Sequence, residues 1–251
     1  MTVPHASEPD RFDLTRFSLR DMTRCGIELR QVGAHAASME EVAVRIASYF
    51  YDRLGDRTGE RGACALVRVF VTLPYRALEA EQRAFAEAVL GHAPDDPRMK
   101  CLTLLGTRGD EAAWNSRHTS TGHRALPLPS ATAVARSPMI AQLIRQLGVE
   151  IAAFLSPDGR LMVDDEQHTF NVFHVEEAMG SPYIPAQEEF VRPHGIRSVL
   201  GFGGLLPSGD LYATILFSRT HIPRDVADLF KTLALNVKVA LLPFVDRTVF
   251  A

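Results

Sequence analysis

The sequence predicts an α+β domain, with a central antiparallel sheet of about six strands flanked by helices and a helix near each end. Three observations predict it. Residues 63–73, ACALVRVFVTL, form a run rich in β-branched residues, the signature of a buried strand. Ser198–Leu206 and Leu211–Ser218 flank the turn Pro207-Ser208-Gly209-Asp210, which folds two strands into a hairpin. Helical and strand patterns do not alternate in the regular βαβα order of a doubly wound sheet.

The elements follow in order. Residues 1–14 are polar, hold Pro4 and Pro9 and show no periodicity, so a disordered arm is expected. Leu14 to Val32 reads as a helix whose apolar residues Met22, Cys25, Leu29 and Val32 are spaced 3, 4 and 3 apart, the seam of a two-helix contact. Ser38 with Glu41 is a capping-box pair opening a helix over 39–54, which places Val42, Ile46, Tyr49 and Phe50 on one face. After the 63–73 strand, Ala77–His92 reads as an amphipathic helix ended by Gly91. Lys100–Leu105 is a second strand, and Gly106–Ser130 a long loop.

Ser137-Pro138 starts a short helix that ends at Gly148. Val149–Leu155 reads as a strand or a continuation of that buried element. A PDG turn follows, then a strand over Phe170–Val175. The closing helix begins near Pro223 and stops at Pro243. Its main face is Val226, Leu229, Phe230, Leu233, Val237, Ala240 and Leu241, and Leu235, Val239 and Leu242 give it a second apolar side. A helix apolar on two sides contacts something besides its own sheet.

Composition excludes several classes. A net charge of −3 over 251 residues gives no concentrated basic surface for nucleic acid. No apolar stretch approaches the ~18 residues needed to cross a bilayer, so no membrane insertion is expected. The opening residues hold no apolar signal-peptide core, and a cytoplasmic protein is expected. Three cysteines without C-x-x-C spacing exclude a disulfide scaffold and a four-thiolate zinc site. No metal site is expected. G-x-S-x-G is absent, and Gly201-Phe-Gly-Gly204 lacks the spacing of a dinucleotide loop.

The run from Phe190 to Gly204, FVRPHGIRSVLGFGG, resembles the GAF pattern of an extended loop, a Gly-Ile-Arg-Ser step and an apolar strand. The hairpin Leu205–Arg219 and the helix Pro223–Leu242 are similar to the closing elements of that family. The helix over 39–54 and the strand over 63–73 match its opening elements more loosely. The chain thus resembles the GAF-like sensory domains found upstream of bacterial signalling histidine kinases, with a GAF/PAS-like sheet. The family's N-K-x-F-D-E run is absent, as is a bilin-attachment signature. Three segments are expected: the arm 1–14, a signalling or dimerisation helix over 15–33, and an enlarged GAF-like domain over 34–245.

The resemblance implies a small-molecule pocket between one sheet face and the loops covering it, here 106–130, the 137–148 helix and 176–194. Trp114, His118, His123, Phe173, His174, Tyr183, His194, Arg197 and Phe202 are the candidates in or beside that cover. Each has a plainer reading. Trp114 and Tyr183 pin loops to the core, and His118 and His123 sit in a basic loop with Arg117 and Arg124. Arg192 and Arg197 either clamp an anion or pair with Glu188 and Glu189. His174 alternates away from Phe173 and Val175. It is either a satisfied core histidine or, as in haem-binding members of the family, an axial ligand.

Cys64 and Cys101 lie on two strands. If close, they would imply thiol chemistry such as that of GAF-type free methionine sulfoxide reductases; buried, they are inert. Asp164-Asp165-Glu166 reads as a solvated edge. The expected function is a non-catalytic sensor of an unidentified small molecule, acting in signal transduction of the two-component kind. Its terminal helices, through Met22, Cys25, Leu29, Val32, Leu235, Val239 and Leu242, would form a homodimer and pass the signal to a kinase or another effector. The alternatives are a thiol-based enzyme and a haem sensor.

Overall fold

The computed structural model describes residues 11–56, 58, 62–148, 150–155 and 172–251. The PDG turn, Asp164-Asp165-Glu166 and the first two residues of the Phe170 strand lie outside them. Elements run in the order β1 (Phe12–Asp13), α1 (Leu19–Val32), α2 (Met39–Arg53), β2 (Leu54–Gly55), β3 (Cys64–Pro74), α3 (Ala80–Leu90), β4 (Lys100–Gly109) and β5 (Ala125–Pro127). Then come α4 (Ala131–Ala135), α5 (Pro138–Gln146), α6 (Ile151–Leu155), β6 (Val172–Val175), β7 (Ser198–Leu205), β8 (Leu211–Ser218) and α7 (Arg224–Leu241).

The sheet has six strands in the order β5-β4-β3-β8-β7-β6, every pairing antiparallel. The β7–β8 hairpin pairs Ser198 with Ser218 through to Leu205 with Leu211, as its turn residues require. Strand β3 sits between β4 and β8, so it is buried on both faces and reads as a near-continuous apolar run. Two hydrophobic clusters lie on opposite faces of the sheet. Helices α1, α2 and α7 cover Val67, Val69, Val71, Leu200 and Phe202 on one side. Helices α4, α5 and α6 and the segment 178–196 cover Leu66, Phe70, Phe173 and Ile215 on the other.

Local signals set the helix ends. Ser18 and Asp21 form a reciprocal capping box on α1, which moves its start from the expected Leu14 to Leu19. Ser38 accepts from the Glu41 amide, while the Glu41 carboxylate reaches one residue further back, to the Ala37 amide at 2.8 Å. Gly91 closes α3 in the left-handed region at φ 84, a conformation that costs glycine nothing. On the helical face Gly106 lets α2 approach β4, for an added Cβ there would lie 2.2 Å from the Ala43 carbonyl oxygen.

Three expectations change, and one open choice, at Ile151–Leu155, is decided. The last residues of the expected arm belong to the fold: Phe12 pairs with Leu54 in a short parallel bridge, and Leu14 is fully buried. The loop after Gly106 extends β4 to Gly109 and contains β5. Ile151–Leu155 is helical; five apolar residues fit a strand and a buried helix equally well by periodicity. The seam Met22, Cys25, Leu29 and Val32 faces the chain's own core, with Cys25 and Leu29 at 0% exposure. Helix α7 satisfies that seam from within the same chain. The two helices lie side by side in one direction: Phe17 meets Phe230 at 5.1 Å, while a Cβ on Gly26 or Gly33 would touch Asn236 or the Ala240 backbone.

Candidate functional site

Strand alternation divides β3 between the two layers. Val67, Val69 and Val71 point to the helices, and Leu66, Arg68 and Phe70 to the opposite, loop-covered face. Over that face the 110–124 loop is pinned to β4. Thr107 Oγ1 donates to the Trp114 carbonyl at 2.8 Å, and Asn115 Oδ1 accepts from the Gly109 amide at 2.9 Å. Gly109 leaves room for the indole, since a Cβ there would lie 2.8 Å from Trp114 Cε3.

A second strap closes from the C-terminal half. The Gln187 side chain donates to the carbonyls of Ala178 and Ile184 and accepts from the Gly180 amide. A single turn of π-helix, Gln187–Val191, then presents Phe190 and His194 inward. Trp114 stands 4.6 Å from the His194 ring and 5.5 Å from Phe190, and Phe190 packs edge-on against Phe217 of β8 at 5.0 Å. Two of the sequence candidates, Trp114 and His194, thus meet across loops eighty residues apart. Phe173 joins the same cluster from β6, with Tyr183 edge-on to it at 6.3 Å and open to solvent.

Beneath the cover lies a residue the sequence reading passed over. Arg68 is 8% exposed at the middle of the sheet, opposite Thr107 on β4 and Ile215 on β8. One terminal nitrogen donates to Ser120 Oγ at 3.0 Å and the other meets His123 Nδ1 at 3.4 Å. Its Nε has no partner. Burial lowers the guanidinium pKa to about 10, so it stays charged at neutral pH. His123, at φ 61, is exposed as a residue, but desolvation of its ring and then the Arg68 charge lower its pKa and favour the neutral ring. The available signal for Arg68 was one charge inside an otherwise apolar strand.

The remaining candidates lie elsewhere. His118 is exposed, 3.5 Å from Glu81. Arg197 is exposed on the rim, and Arg192 pairs with Glu188 at 3.0 Å, so neither forms an anion clamp with the other. Phe202 faces the helices, not the cover, packing 5.4 Å from Phe50 and 5.3 Å from Phe230. His174 also faces the helical side, and its Nε2 lies 2.9 Å from the Ile222 carbonyl. Desolvation lowers its pKa, so a neutral ring donating to that carbonyl satisfies it as a core histidine.

The cysteines do not meet. Cys101 lies opposite Leu73 at the far end of β3 from Cys64, nine residues and roughly 30 Å away at strand rise. All three thiols are buried, and desolvation raises each pKa to about 12. Cys64 borders a shallow cavity of about 330 Å³ that Tyr51, Asp110 and Arg219 also line. Those polar groups bond one another: Tyr51 donates to Asp110 at 2.6 Å, and Arg219 pairs with the same carboxylate. Among the described residues no group of three or more His, Cys, Asp or Glu gathers as a metal site, and no helix is long and apolar enough to cross a membrane.

No family model and no curated protein matches the chain. Solved structures similar to it include the free methionine-R-sulfoxide reductase of Neisseria meningitidis in complex with its substrate, at 11% identity and a TM-score of 0.46, covering 94% of this chain and 95% of that one. The GAF domain of a phosphoenolpyruvate-protein phosphotransferase from Coxiella burnetii is similar at 9% identity and a TM-score of 0.45, over 88% and 93%. The reduced fRMsr of Staphylococcus aureus is similar at 8% and 0.46, over 88% and 95%. Likeness at this level says nothing of activity. The fold agrees with the GAF-like sheet that the sequence resemblance implies: six antiparallel strands, with the terminal helices on one face and short helices and straps on the other.

Proposed function

We propose that the chain is a non-catalytic sensory module that binds a small molecule on the loop-covered face and reports its occupancy through α1 and α7. The observation that carries this reading is the buried Arg68 at the middle of the sheet, under Ser120 and His123 of the covering loop and on the same face as the cluster of Trp114, Phe190 and His194. A mostly apolar, aromatic-lined face with a few convergent polar groups is the ordinary setting for a small ligand.

The route to the helices is short. Val67 and Val69, on either side of Arg68, pack into the helical layer. On β6, Phe173 faces the cover while the adjacent His174 holds the Ile222 carbonyl, one residue before the Pro223 cap of α7. A ligand that prefers one arrangement of β3 or β6 biases α7 by its difference in affinity between the two states. In this reading α7 pairs with a second copy of the chain and hands the change to a signalling kinase or another effector in the cytoplasm.

The thiol-enzyme alternative is disfavoured by three buried thiols with raised pKa values, two of them roughly 30 Å apart. The haem alternative is disfavoured by the bond that occupies His174 Nε2. Native mass spectrometry of freshly purified protein tests the sensor reading. A retained small molecule that leaves on mild heating or desalting is the expected result. Turnover of free methionine sulfoxide by the same preparation would replace the sensor with the enzyme.

A further inference from the structure

We infer that Arg68 is the anchor for a small anion, a carboxylate or a phosphate, held together with Ser120 and His123 beneath the 110–124 loop. This names the ligand class of the sensor reading and rests on it.

A charged guanidinium removed from water is costly unless a counter-charge and hydrogen bonds replace its hydration. The other buried arginine among the described residues shows the ordinary solution. Arg117, 7% exposed, pairs with Glu40 at 2.5 Å and Glu79 at 2.7 Å, and its guanidinium also covers the Phe250 ring. Arg68 is equally buried and has no carboxylate partner among the described residues. Of its five N–H groups, one has a good acceptor in Ser120 and one a long contact to His123, while Nε has none.

The surroundings add positive charge. Arg124, from the same loop, points its Nε at the Ser120 carbonyl at 2.6 Å and a terminal nitrogen at the His118 carbonyl at 2.8 Å. It therefore braces the Ser120–His123 turn and supplies no counter-charge. The walls are apolar, with Leu66 and Phe70 two positions either side on β3 and Ile215 opposite on β8. An anionic head against the guanidinium fork and a compact apolar or neutral remainder against those walls complete the site.

The test uses the full chain, with melting temperature and calorimetric titration read at constant ionic strength. Inorganic phosphate is one arm and the short carboxylates acetate and succinate the other, with chloride as the baseline. One arm is expected to raise the melting temperature saturably, and the arm that does so identifies the anion. Arg68→Met is expected to weaken that binding by roughly thirtyfold or more, while Arg192→Met at the exposed rim leaves it unchanged. Arg68→Met replaces a buried charge with an apolar chain of similar length, so its own melting temperature should match or exceed that of the parent. If it does not fold, Ser120→Ala reads the same site, with binding weakened about fivefold. Anion binding that is identical in the parent and in Arg68→Met overturns the inference. So does a neutral molecule retained equally by both in native mass spectra, which leaves the sensor reading intact. Failure of every anion to bind, with no retained molecule of any charge, overturns both.

Discussion

A thiol at pKa about 12 presents on the order of one thiolate in 100,000 at pH 7, and the thiolate is the reacting species. Cys25, Cys64 and Cys101 are each raised mainly by desolvation, with the Arg219 charge offsetting only part of the effect at Cys64. Native protein treated with excess iodoacetamide at pH 7.5 is therefore expected to remain unmodified by mass, with all three sites labelling only in denaturant. Rapid native labelling of Cys64, the thiol beside the shallow cavity, would reopen the enzyme reading. The apolar strands around Cys64 and Cys101, and the helical seam that holds Cys25, made their burial legible in the sequence. The direction of a strand's faces was less so. Alternation correctly separated His174 from Phe173, but nothing in GFGG told that Phe202 would face Phe50 and Phe230. Arg68 escaped because a lone charge in a buried strand gains meaning only when its neighbours from β4, β8 and the covering loop are known.

Elements bounded by their own side chains were legible: Ser38 opens α2, Gly91 closes α3, and Pro223 caps α7. Those defined by remote partners were not. The bridge β1–β2 and the edge strand β5 are two and three residues long, too short for periodicity, and exist because Leu54 and β4 offer them backbone partners. The packing of α2 on the sheet shows how one residue sets an element's position. Gly106 lies where β4 leaves register with β3 after Val69, and a methyl group there would meet the Ala43 carbonyl at 2.2 Å and the Val44 amide at 2.7 Å. Both obstacles are helix backbone, so relief requires moving α2 as a body. Gly106→Ala is expected to destabilise the protein by about 3 kcal/mol, the upper part of the usual overpacking range. Urea unfolding should show this as a lower midpoint with an unchanged slope; a midpoint equal to the parent's would mean that α2 rides more loosely than its contacts imply.

At the scale of the whole molecule, the sheet separates a loop-covered face from a helical face, and the helical face leaves apolar surface uncovered. Leu235, Val239 and Leu242 are 42%, 46% and 37% exposed, and their spacing of 4 and 3 aligns them in one stripe along α7. Ile27 on the neighbouring α1 adds a further exposed side chain at 54%. The sequence indicated this second apolar side of α7 correctly but assigned α1's inner seam to the same role. Both patterns carry helical period, and only packing decides which one the chain consumes itself. Cys25 and Leu29 are consumed by α7, so substitutions there damage the monomer and cannot report on association. The outer stripe can. If α7 pairs with a second copy, light scattering at tens of micromolar should give twice the chain mass, and the pair Leu235→Asp with Val239→Asp should halve it. Because both side chains are solvent-exposed in the single chain, the double variant should melt within a few degrees of the monomeric parent measured at high dilution. A parent already monomeric at tens of micromolar would remove the dimer from the proposed signalling route. Occupancy at Arg68 would then have to reach an effector through α7 of a single chain.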